Sequence, residues 1–299
     1  MDSPPNESQA SLTTPYTVEP SSQHTHTLIL LHGLGSNGPK FGSELLQTGI
    51  SSNGKTLPDL LPGARFIFPT AKRRRSSAFH RAKLTQWFDI ASLDDPSHRS
   101  HTQLQGLEES YGEILSILNR EAEEVSPKNV ILGGLSQGCA MALICLLAID
   151  FPIGGFIGMS GWLPLRHDIE PLVKERAEDS PSDEGNPFGD SDDGEEADEP
   201  VDPVVKVVSY VRDSLDIGDE SPPSREASAI LTPVFLGHGA ADEKIRPELG
   251  ERAFETLKSI GFQVDWRSYE GQGHWYKIPD EIDDIVGFIR TKVGWTIGE

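Results

Sequence analysis

NVILGGLSQGCAMALICLLAI, residues 129–149, is the stretch of this 299-residue sequence that decides its fold. The apolar run at 129–132 predicts a buried strand, and the almost wholly apolar run at 137–149 predicts a helix packed on a sheet. Between them, Gly134-Leu135-Ser136-Gln137-Gly138 matches the pattern G-x-S-x-G. A strand, a tight turn and a helix in this order are typical of a nucleophile elbow, which holds a serine hydroxyl at the carboxyl end of the strand.

Ser136 is therefore the candidate nucleophile. A turn this tight needs small residues two positions before and two positions after the serine, and Gly134 and Gly138 meet that need. The helix that follows contributes partial positive charge where an oxyanion would develop. The alternative is a glycine-rich turn in which the serine only caps the helix.

Further strands and helices are predicted to alternate along the chain. Apolar runs predict strands at 26–31, 64–68, 153–159, 232–236 and 263–269, and helical spacing predicts helices at 102–124, 246–260 and 279–293. Such alternation favours a mainly parallel, twisted sheet with helices on both faces. We therefore predict one α/β domain over residues 24–299.

Two polar segments lie outside this pattern. Residues 1–23, rich in Ser, Pro and Thr, predict a disordered arm. Residues 176–225 predict an acidic, disordered insertion, with twelve acidic residues and no basic one between Glu178 and Asp202. Within it, Val204 to Leu215 carries apolar residues at helical spacing. This part is either a helix that packs on the core or a mobile lid helix.

Charge and cysteine content restrict the function classes. The net charge of −21 is concentrated in the acidic run, so no nucleic-acid partner is expected. No apolar run reaches about 18 residues, so no integral membrane association is expected. Cys139 and Cys145 do not face each other on the predicted helix, which favours reduced thiols and a cytoplasmic location.

A serine nucleophile needs a base, and the base needs an acid to orient it. Of the nine histidines, His274 lies in the glycine-rich loop between the last predicted strand and helix. Asp242 follows the strand at 232–236, which satisfies the order Ser, acid, His of this type of fold. Glu243 is the competing acid.

The loop after the first strand is a candidate oxyanion site. Leu31-His32-Gly33-Leu34-Gly35 follows the strand at 26–31, and in hydrolases of this type such a loop supplies one oxyanion N–H. The residue after the nucleophile supplies the other. We assign these two donors to the backbone N–H groups of Leu34 and Gln137.

The same loop also fits a dinucleotide-binding fingerprint, Gly33-x-Gly35-x-x-Gly38, and so a nucleotide-binding oxidoreductase. Two features oppose that interpretation. Pro39 and Gly42 predict a poor helix after the glycines, and no acidic residue ends a second strand about 20 residues further on.

Together these motifs resemble the acyl-protein thioesterase and carboxylesterase family of small α/β-hydrolases. The resemblance covers residues 26–166 and 232–293 and rests on Leu31-His32-Gly33-Leu34-Gly35, Trp87-Phe88-Asp89, Gly134-Leu135-Ser136-Gln137-Gly138, Ser160-Gly161-Trp162-Leu163-Pro164, Gly237-His238-Gly239 with Asp242, and Gly273-His274. It implies an α/β-hydrolase fold, a Ser136–His274–Asp242 triad, and no cofactor or metal. The implied substrates are acylated proteins or small acyl esters and thioesters, including lysophospholipid-like lipids. The insertion after Pro164 departs from the compact family pattern.

Three further features bear on the substrate. Trp87 and Trp162 are candidates for lining a substrate pocket. The basic loop that begins at Lys72, Arg73, Arg74 and Arg75 is either a solvated loop or a binding site. Its partner would be a membrane surface in transient contact, an acidic substrate, or the acidic insertion of this chain. The competing functions are a general carboxylesterase or lysophospholipase, and a non-catalytic hydrolase-fold protein that binds a ligand.

Overall fold

A seven-stranded sheet forms the centre of the computed structural model, which describes residues 14–174, 201–218 and 223–298. The strands are β1 (Tyr16–Val18), β2 (His26–Leu31), β3 (Ala64–Phe68), β4 (Arg73–Arg75), β5 (Lys83–Thr85), β6 (Val130–Leu135), β7 (Gly155–Met159), β8 (Val234–Gly239) and β9 (Val264–Tyr269). The sheet order is β1-β3-β2-β6-β7-β8-β9. All neighbouring pairs are parallel except the edge pair β1–β3, and β4 and β5 form a separate antiparallel hairpin.

Helices connect the parallel strands. They are α1 (Gly38–Thr48), α2 (Leu57–Leu60), α3 (Leu104–Val125), α4 (Gln137–Ala148), α5 (Arg166–Lys174), α6 (Pro203–Ser214), α7 (Pro247–Ile260) and α8 (Asp280–Phe288). A π-helical turn, Ile289–Val293, continues α8, and short 3-10 turns lie at Ser100–Thr102 and Pro127–Asn129. None of the described helices is both long and apolar enough to cross a membrane.

The hydrophobic core consists of two layers, one on each face of the sheet. One layer contains apolar residues of α3, α4, α6 and α7, and the other contains those of α1 and α8. Every residue of α4 is buried, as its apolar sequence predicts, because it lies directly against the central strands. The predicted parallel sheet with helices on both faces is confirmed. Cys139 and Cys145 of α4 are free and buried, as predicted.

The prediction of a poor helix after the first glycine loop is wrong. Residues Gly38–Thr48 form helix α1, although Pro39 and Gly42 predicted a poor helix. Pro39 lies in the first turn of the helix, where a backbone N–H has no acceptor within the helix, so proline is tolerated there. The Asn37 side chain caps the helix by accepting from Lys40 N at 2.9 Å. Gly42 packs so closely on Phe68 that an added Cβ would lie 2.6 Å from its ring.

The prediction of a disordered arm over residues 1–23 is wrong for residues 14–23, which the structure describes. Tyr16–Val18 forms strand β1, which pairs antiparallel with β3. Pairing satisfies the backbone groups that β3 would otherwise expose at the sheet edge, and the Tyr16 ring lies 6.0 Å from that of Phe68. Residues 1–13 lie outside the described chain.

The predicted insertion is also ordered in part. Residues 175–200, with most of the acidic run, and residues 219–222 lie outside the described chain. Helix α6 is described, begins after the N-cap Asp202, and buries the side chains of Val207 and Val211 completely. The Arg212 Nε donates to the Ala148 carbonyl at the end of α4, at 2.9 Å. The helix predicted within the insertion is therefore present, and the core-packed alternative to a mobile lid agrees with the structure.

Candidate active site

Ser136 occupies a strained turn between β6 and α4. Its backbone has φ 58° and ψ −122°, a region that non-glycine residues rarely adopt. A Cβ at Gly134 would lie 2.7 Å from the Gly138 carbonyl carbon, and a Cβ at Gly138 would lie 2.1 Å from the Leu31 oxygen. The two glycines are therefore required by the close approach of the turn to β2, as the motif predicts.

The structure brings the three predicted triad residues together from distant parts of the sequence. The His274 Nε2 lies 3.0 Å from the Ser136 Oγ, and the His274 Nδ1 lies 2.7 Å from the Asp242 Oδ2. An ionised carboxylate only accepts, so Nδ1 carries the proton and Nε2 accepts from the serine hydroxyl. Glu243, the competing acid, is exposed beside Asp242.

The Asp242 carboxylate is held ionised by its surroundings. Its side chain is fully buried, which on its own would raise the pKa, but hydrogen bonds from His238, His274 and the Ile245 backbone hold the pKa well below its usual range. The Oδ1 atom accepts from the N–H groups of Lys244 and Ile245 at 2.8 and 3.0 Å. A charged acceptor is thus available to His274 at neutral pH.

The loop that carries Leu34, one of the two predicted oxyanion donors, lies beside the serine. An added Cβ at Gly33 would lie 3.9 Å from the Ser136 Oγ, so the loop after β2 is adjacent to the hydroxyl. Within the described chain, the Leu34 N–H has no hydrogen-bond partner. Gln137 is the first residue of α4, and its N–H has no acceptor within the helix.

His32 braces this loop, a role that the sequence motif alone did not reveal. Its Nε2 accepts from Ala71 N at 3.0 Å, so Nδ1 carries the proton and donates to the Gly33 carbonyl at 2.8 Å. Burial lowers the pKa of His32 to about 4, against the opposing effect of the Gly33 hydrogen bond. A neutral histidine therefore fixes the carbonyl that precedes Leu34.

Trp87 is almost fully buried, and it lies at the edge of a second cavity, of about 750 Å³, together with residues 69–73 and part of α3. The side chain is 1% exposed, and its Nε1 donates to the His32 carbonyl at 2.8 Å. The Gln137 side chain accepts from Trp87 N at 3.0 Å and donates to the Phe88 carbonyl at 2.8 Å. This network ties the elbow to the loop after β2, since both contact the same two residues.

Trp162 has a different environment. It lines a cavity of about 450 Å³ together with residues 94–97 and part of α7, and its ring meets Phe88 edge to face at 6.2 Å. The preceding Gly161 packs on the elbow, where an added Cβ would lie 3.3 Å from the Ser136 carbonyl oxygen. Gly161 therefore lies between the backbone of the serine turn and Trp162, and the residues that line the cavity do not include Ser136, Asp242 or His274.

Hairpin β4–β5 supports the loop after β2. The Thr85 carbonyl at its end accepts from Gly35 N at 2.8 Å. Lys72 and Arg74 pair with glutamates of α3, at 2.7 Å to Glu113 and 2.8 Å to Glu109 respectively. These two cations are therefore neutralised within the fold, whereas Arg73, Arg75, Arg81 and Lys83 are exposed.

Glu281 is a buried carboxyl group that sequence reasoning missed. It is 1% exposed in the first turn of α8, and its Oε2 accepts from Lys277 N at 2.8 Å, in the loop that follows His274. Burial raises the pKa of Glu281 to about 8, partly opposed by that hydrogen bond. The only signal in the sequence was its place among the acidic residues of a helix N-terminus, which usually indicates an exposed charge.

Known proteins are similar to this chain in sequence and in fold. Residues 12–181 match the family described as Phospholipase/Carboxylesterase. The chain belongs to the phospholipase/carboxylesterase family. Acyl-protein thioesterase 1 of Cryptococcus neoformans is 30% identical over 91% of this chain and 94% of its own length. The corresponding protein of Gibberella zeae is 26% identical over 93% and 95%. The crystal structure of Zea mays acyl-protein thioesterase 2 matches with a TM-score of 0.61 and 26% identity over 94% of this chain and 99% of that one.

Family membership confirms the resemblance inferred from the motifs. The chain has the α/β-hydrolase fold and is a serine hydrolase enzyme of the phospholipase/carboxylesterase family. The nucleotide-binding oxidoreductase is a wrong alternative, although its glycine pattern is followed by a helix. Of these glycines, Gly33 lies beside Ser136, whereas Gly38 packs on the Phe68 backbone.

Proposed function

We propose that this enzyme hydrolyses acyl thioesters on proteins, with Ser136 as nucleophile, His274 as general base and Asp242 as the residue that orients His274. The hydrogen-bonded chain from Asp242 through His274 to Ser136 carries the proposal. The relatives named acyl-protein thioesterase 1, which align over most of the chain, support a thioester substrate. A general carboxylesterase or a lysophospholipase would use the same residues.

Acylation begins when the Ser136 Oγ attacks the acyl carbonyl carbon. His274 Nε2 takes the hydroxyl proton, and the carbonyl oxygen becomes an oxyanion that accepts from the N–H groups of Leu34 and Gln137. The carbon–sulfur bond then breaks, and His274 gives its proton to the departing thiolate. Asp242 stabilises the imidazolium throughout, because its carboxylate stays charged at neutral pH.

Deacylation repeats these steps with water. His274 removes a proton from the water, whose oxygen attacks the acyl carbon of the Ser136 ester. The same two backbone N–H groups hold the second oxyanion, and His274 returns the proton to Ser136 as the carboxylic acid leaves. We assign the cavity beside Trp162 to part of the substrate, since Trp162 follows Gly161, which packs on the elbow.

The location of the substrate belongs to the same proposal. An acylated protein is held at a lipid surface by its acyl chain, and the exposed cations Arg73 and Arg75 of hairpin β4–β5 would contact anionic headgroups there. Exposed Phe79, between the two strands, adds an apolar contact. The free cysteines Cys139 and Cys145 support a reducing compartment such as the cytoplasm.

Hydrolysis of matched esters and thioesters, from short to long acyl chains, tests the proposal. We expect thioester turnover by the wild-type enzyme and its loss in Ser136→Ala. Cys139→Ala is the matched control: burial raises the pKa of this thiol to about 12, so it stays protonated and cannot act as the nucleophile. This variant should retain turnover and react with a fluorophosphonate probe.

Three results distinguish the candidate functions. Thioesterase activity that rises with acyl length and requires Ser136 supports the proposal. Activity restricted to short oxygen esters would instead indicate a general carboxylesterase. A folded wild-type protein that neither turns over substrate nor reacts with the probe would indicate a non-catalytic ligand-binding protein.

A further inference from the structure

A second histidine, His238, contacts the Asp242 carboxylate. It lies near the end of β8, and its Nε2 is 3.3 Å from the same Oδ2 atom that accepts from His274. The side chains of His238 and Asp242 are 1% and 0% exposed. His238 contacts neither Ser136 nor the oxyanion loop, so the proposed mechanism leaves it without a role.

The contacts of His238 define where its proton lies. Nε2 is also 2.9 Å from the Ile245 carbonyl oxygen. A carbonyl and an ionised carboxylate can only accept, so Nε2 carries a proton and donates it to the Ile245 carbonyl, while the Asp242 Oδ2 lies 3.3 Å from the same nitrogen as a second, longer contact. The Ile245 N–H in turn donates to the Asp242 Oδ1 at 3.0 Å. The ring therefore spans both ends of the turn that holds the carboxylate.

Packing prevents the ring from turning away. Its Nδ1 is buried and has no hydrogen-bond partner in the described chain. Gly250 of α7 lies against that atom, where an added Cβ would be 2.3 Å from Nδ1, and the Trp266 ring lies 6.1 Å away. A second ring proton on Nδ1 would be buried without an acceptor, which favours the neutral ring with its proton on Nε2.

We propose that His238 is a positioning residue, whose Nε2–H holds the Oδ2 of Asp242 in the orientation that meets His274. The inference rests on the proposed triad. Lys244 and Ile245 satisfy Oδ1, but without His238 the remaining donor to Oδ2 among the described residues would be His274 itself. The terminal torsion of an aspartate is soft, so a second donor on Oδ2 limits its rotation while His274 exchanges protons with Ser136.

Two amide variants at this position test the proposal. The side chain of His238→Gln can place its N–H near the former Nε2, whereas that of His238→Asn is one carbon shorter and reaches only the region of Nδ1. We expect the Gln variant to keep kcat within about 3-fold of wild type and the Asn variant to lose about 10- to 100-fold. KM should be unchanged in both, because neither side chain touches substrate.

The measurement is kcat and KM per mole of folded protein, with the melting temperature of each variant. Equal kcat values for the Gln and Asn variants would overturn the proposal, as would a lower melting temperature with wild-type kcat in His238→Asn. Such results would leave His238 as a structural core residue. Wild-type turnover that does not depend on Ser136 would instead overturn the proposed function itself.

A third variant covers the case in which His238→Asn does not fold. Gly250→Ala keeps the histidine but places a methyl group 2.3 Å from its Nδ1, so the ring must shift away from its present position. We expect kcat to fall with KM unchanged. A folded Gly250→Ala enzyme with wild-type kcat would overturn the proposal.

Discussion

At the residue scale, burial gives two ionisable side chains near the triad unusual states. His32 is neutral, with its pKa lowered to about 4 by burial, and Glu281 is protonated near neutrality, with its pKa raised to about 8. Each contacts a backbone group beside the site: His32 the Gly33 carbonyl and Glu281 the Lys277 N–H. Both are therefore supports of loops that carry site residues, and neither adds a charge to the site.

Glu281 should make stability depend on pH. Its pKa rises from 4.5 to about 8 on folding, so within that range the folded state holds a proton that the unfolded state has lost. The protonated carboxyl contributes its full stabilisation below about pH 4.5. As pH rises from there through about 8, the free energy of unfolding falls by about 1.4 kcal/mol per pH unit. Glu281→Gln should flatten this part of the profile, measured by urea unfolding at several pH values.

Asp280→Asn is the matched control for this prediction. It removes one carboxylate from the same turn of α8, but Asp280 is exposed. Its profile should follow that of the wild-type protein. Parallel profiles for wild type and Glu281→Gln would show that the buried carboxyl does not govern this part of the pH dependence.

At the element scale, helix α6 illustrates how much a spacing pattern can predict. Apolar residues at helical spacing between Val204 and Leu215 predict an amphipathic helix, and the structure has one at Pro203–Ser214. The same pattern could not decide whether the apolar face packs on the core or on a moving lid. Contact with α4 and α5 decides this, because it buries the valines completely.

Removing one of these valines should destabilise the enzyme. Val207 is 0% exposed, so Val207→Ala leaves a cavity and should lower the free energy of unfolding by about 1–3 kcal/mol. Val201→Ala, at a residue that is 55% exposed, should change it by less than about 0.5 kcal/mol. Equal stabilities for the two variants, measured by urea unfolding, would mean that α6 does not contribute to the folded core.

At the scale of the whole molecule, charge is distributed unevenly. The net charge is −21, yet hairpin β4–β5 exposes Arg73, Arg75, Arg81 and Lys83 beside the loop that approaches Ser136. A protein this acidic is repelled by an anionic surface except where cations are concentrated. Any contact with such a surface should therefore be made through the hairpin, which orients the site toward it.

The double variant Arg73→Glu with Arg75→Glu tests this orientation. Each cation near an anionic surface contributes about 1 kcal/mol, so the variant should bind phosphatidylserine vesicles at least about 10-fold more weakly in co-sedimentation. Turnover of a water-soluble ester should not change. Lys40→Glu with Lys128→Glu makes the same charge change on other exposed surfaces and should bind as the wild type does. Equal binding by both double variants would contradict the prediction.

The central strands, the serine turn and the candidate triad residues could all be predicted from the sequence. These features depend on local chemistry: a buried strand needs a continuous apolar run, and the tight turn at Ser136 needs small residues on either side. His274 and Asp242 could be selected because chain order restricts which loops lie at the carboxyl edge of the sheet. Strand β2 has the predicted bounds, His26–Leu31.

Features that depend on partners distant in sequence could be assigned only from the folded structure. Strand β1 forms because β3 offers an unpaired edge, and Trp87 is held against the loop after β2 because the His32 carbonyl lies within reach of its indole N–H. Likewise, Glu281 is protonated and His238 reaches Asp242 because packing encloses them. Burial and hydrogen-bond distance are properties of the folded chain, so no local pattern could have predicted them.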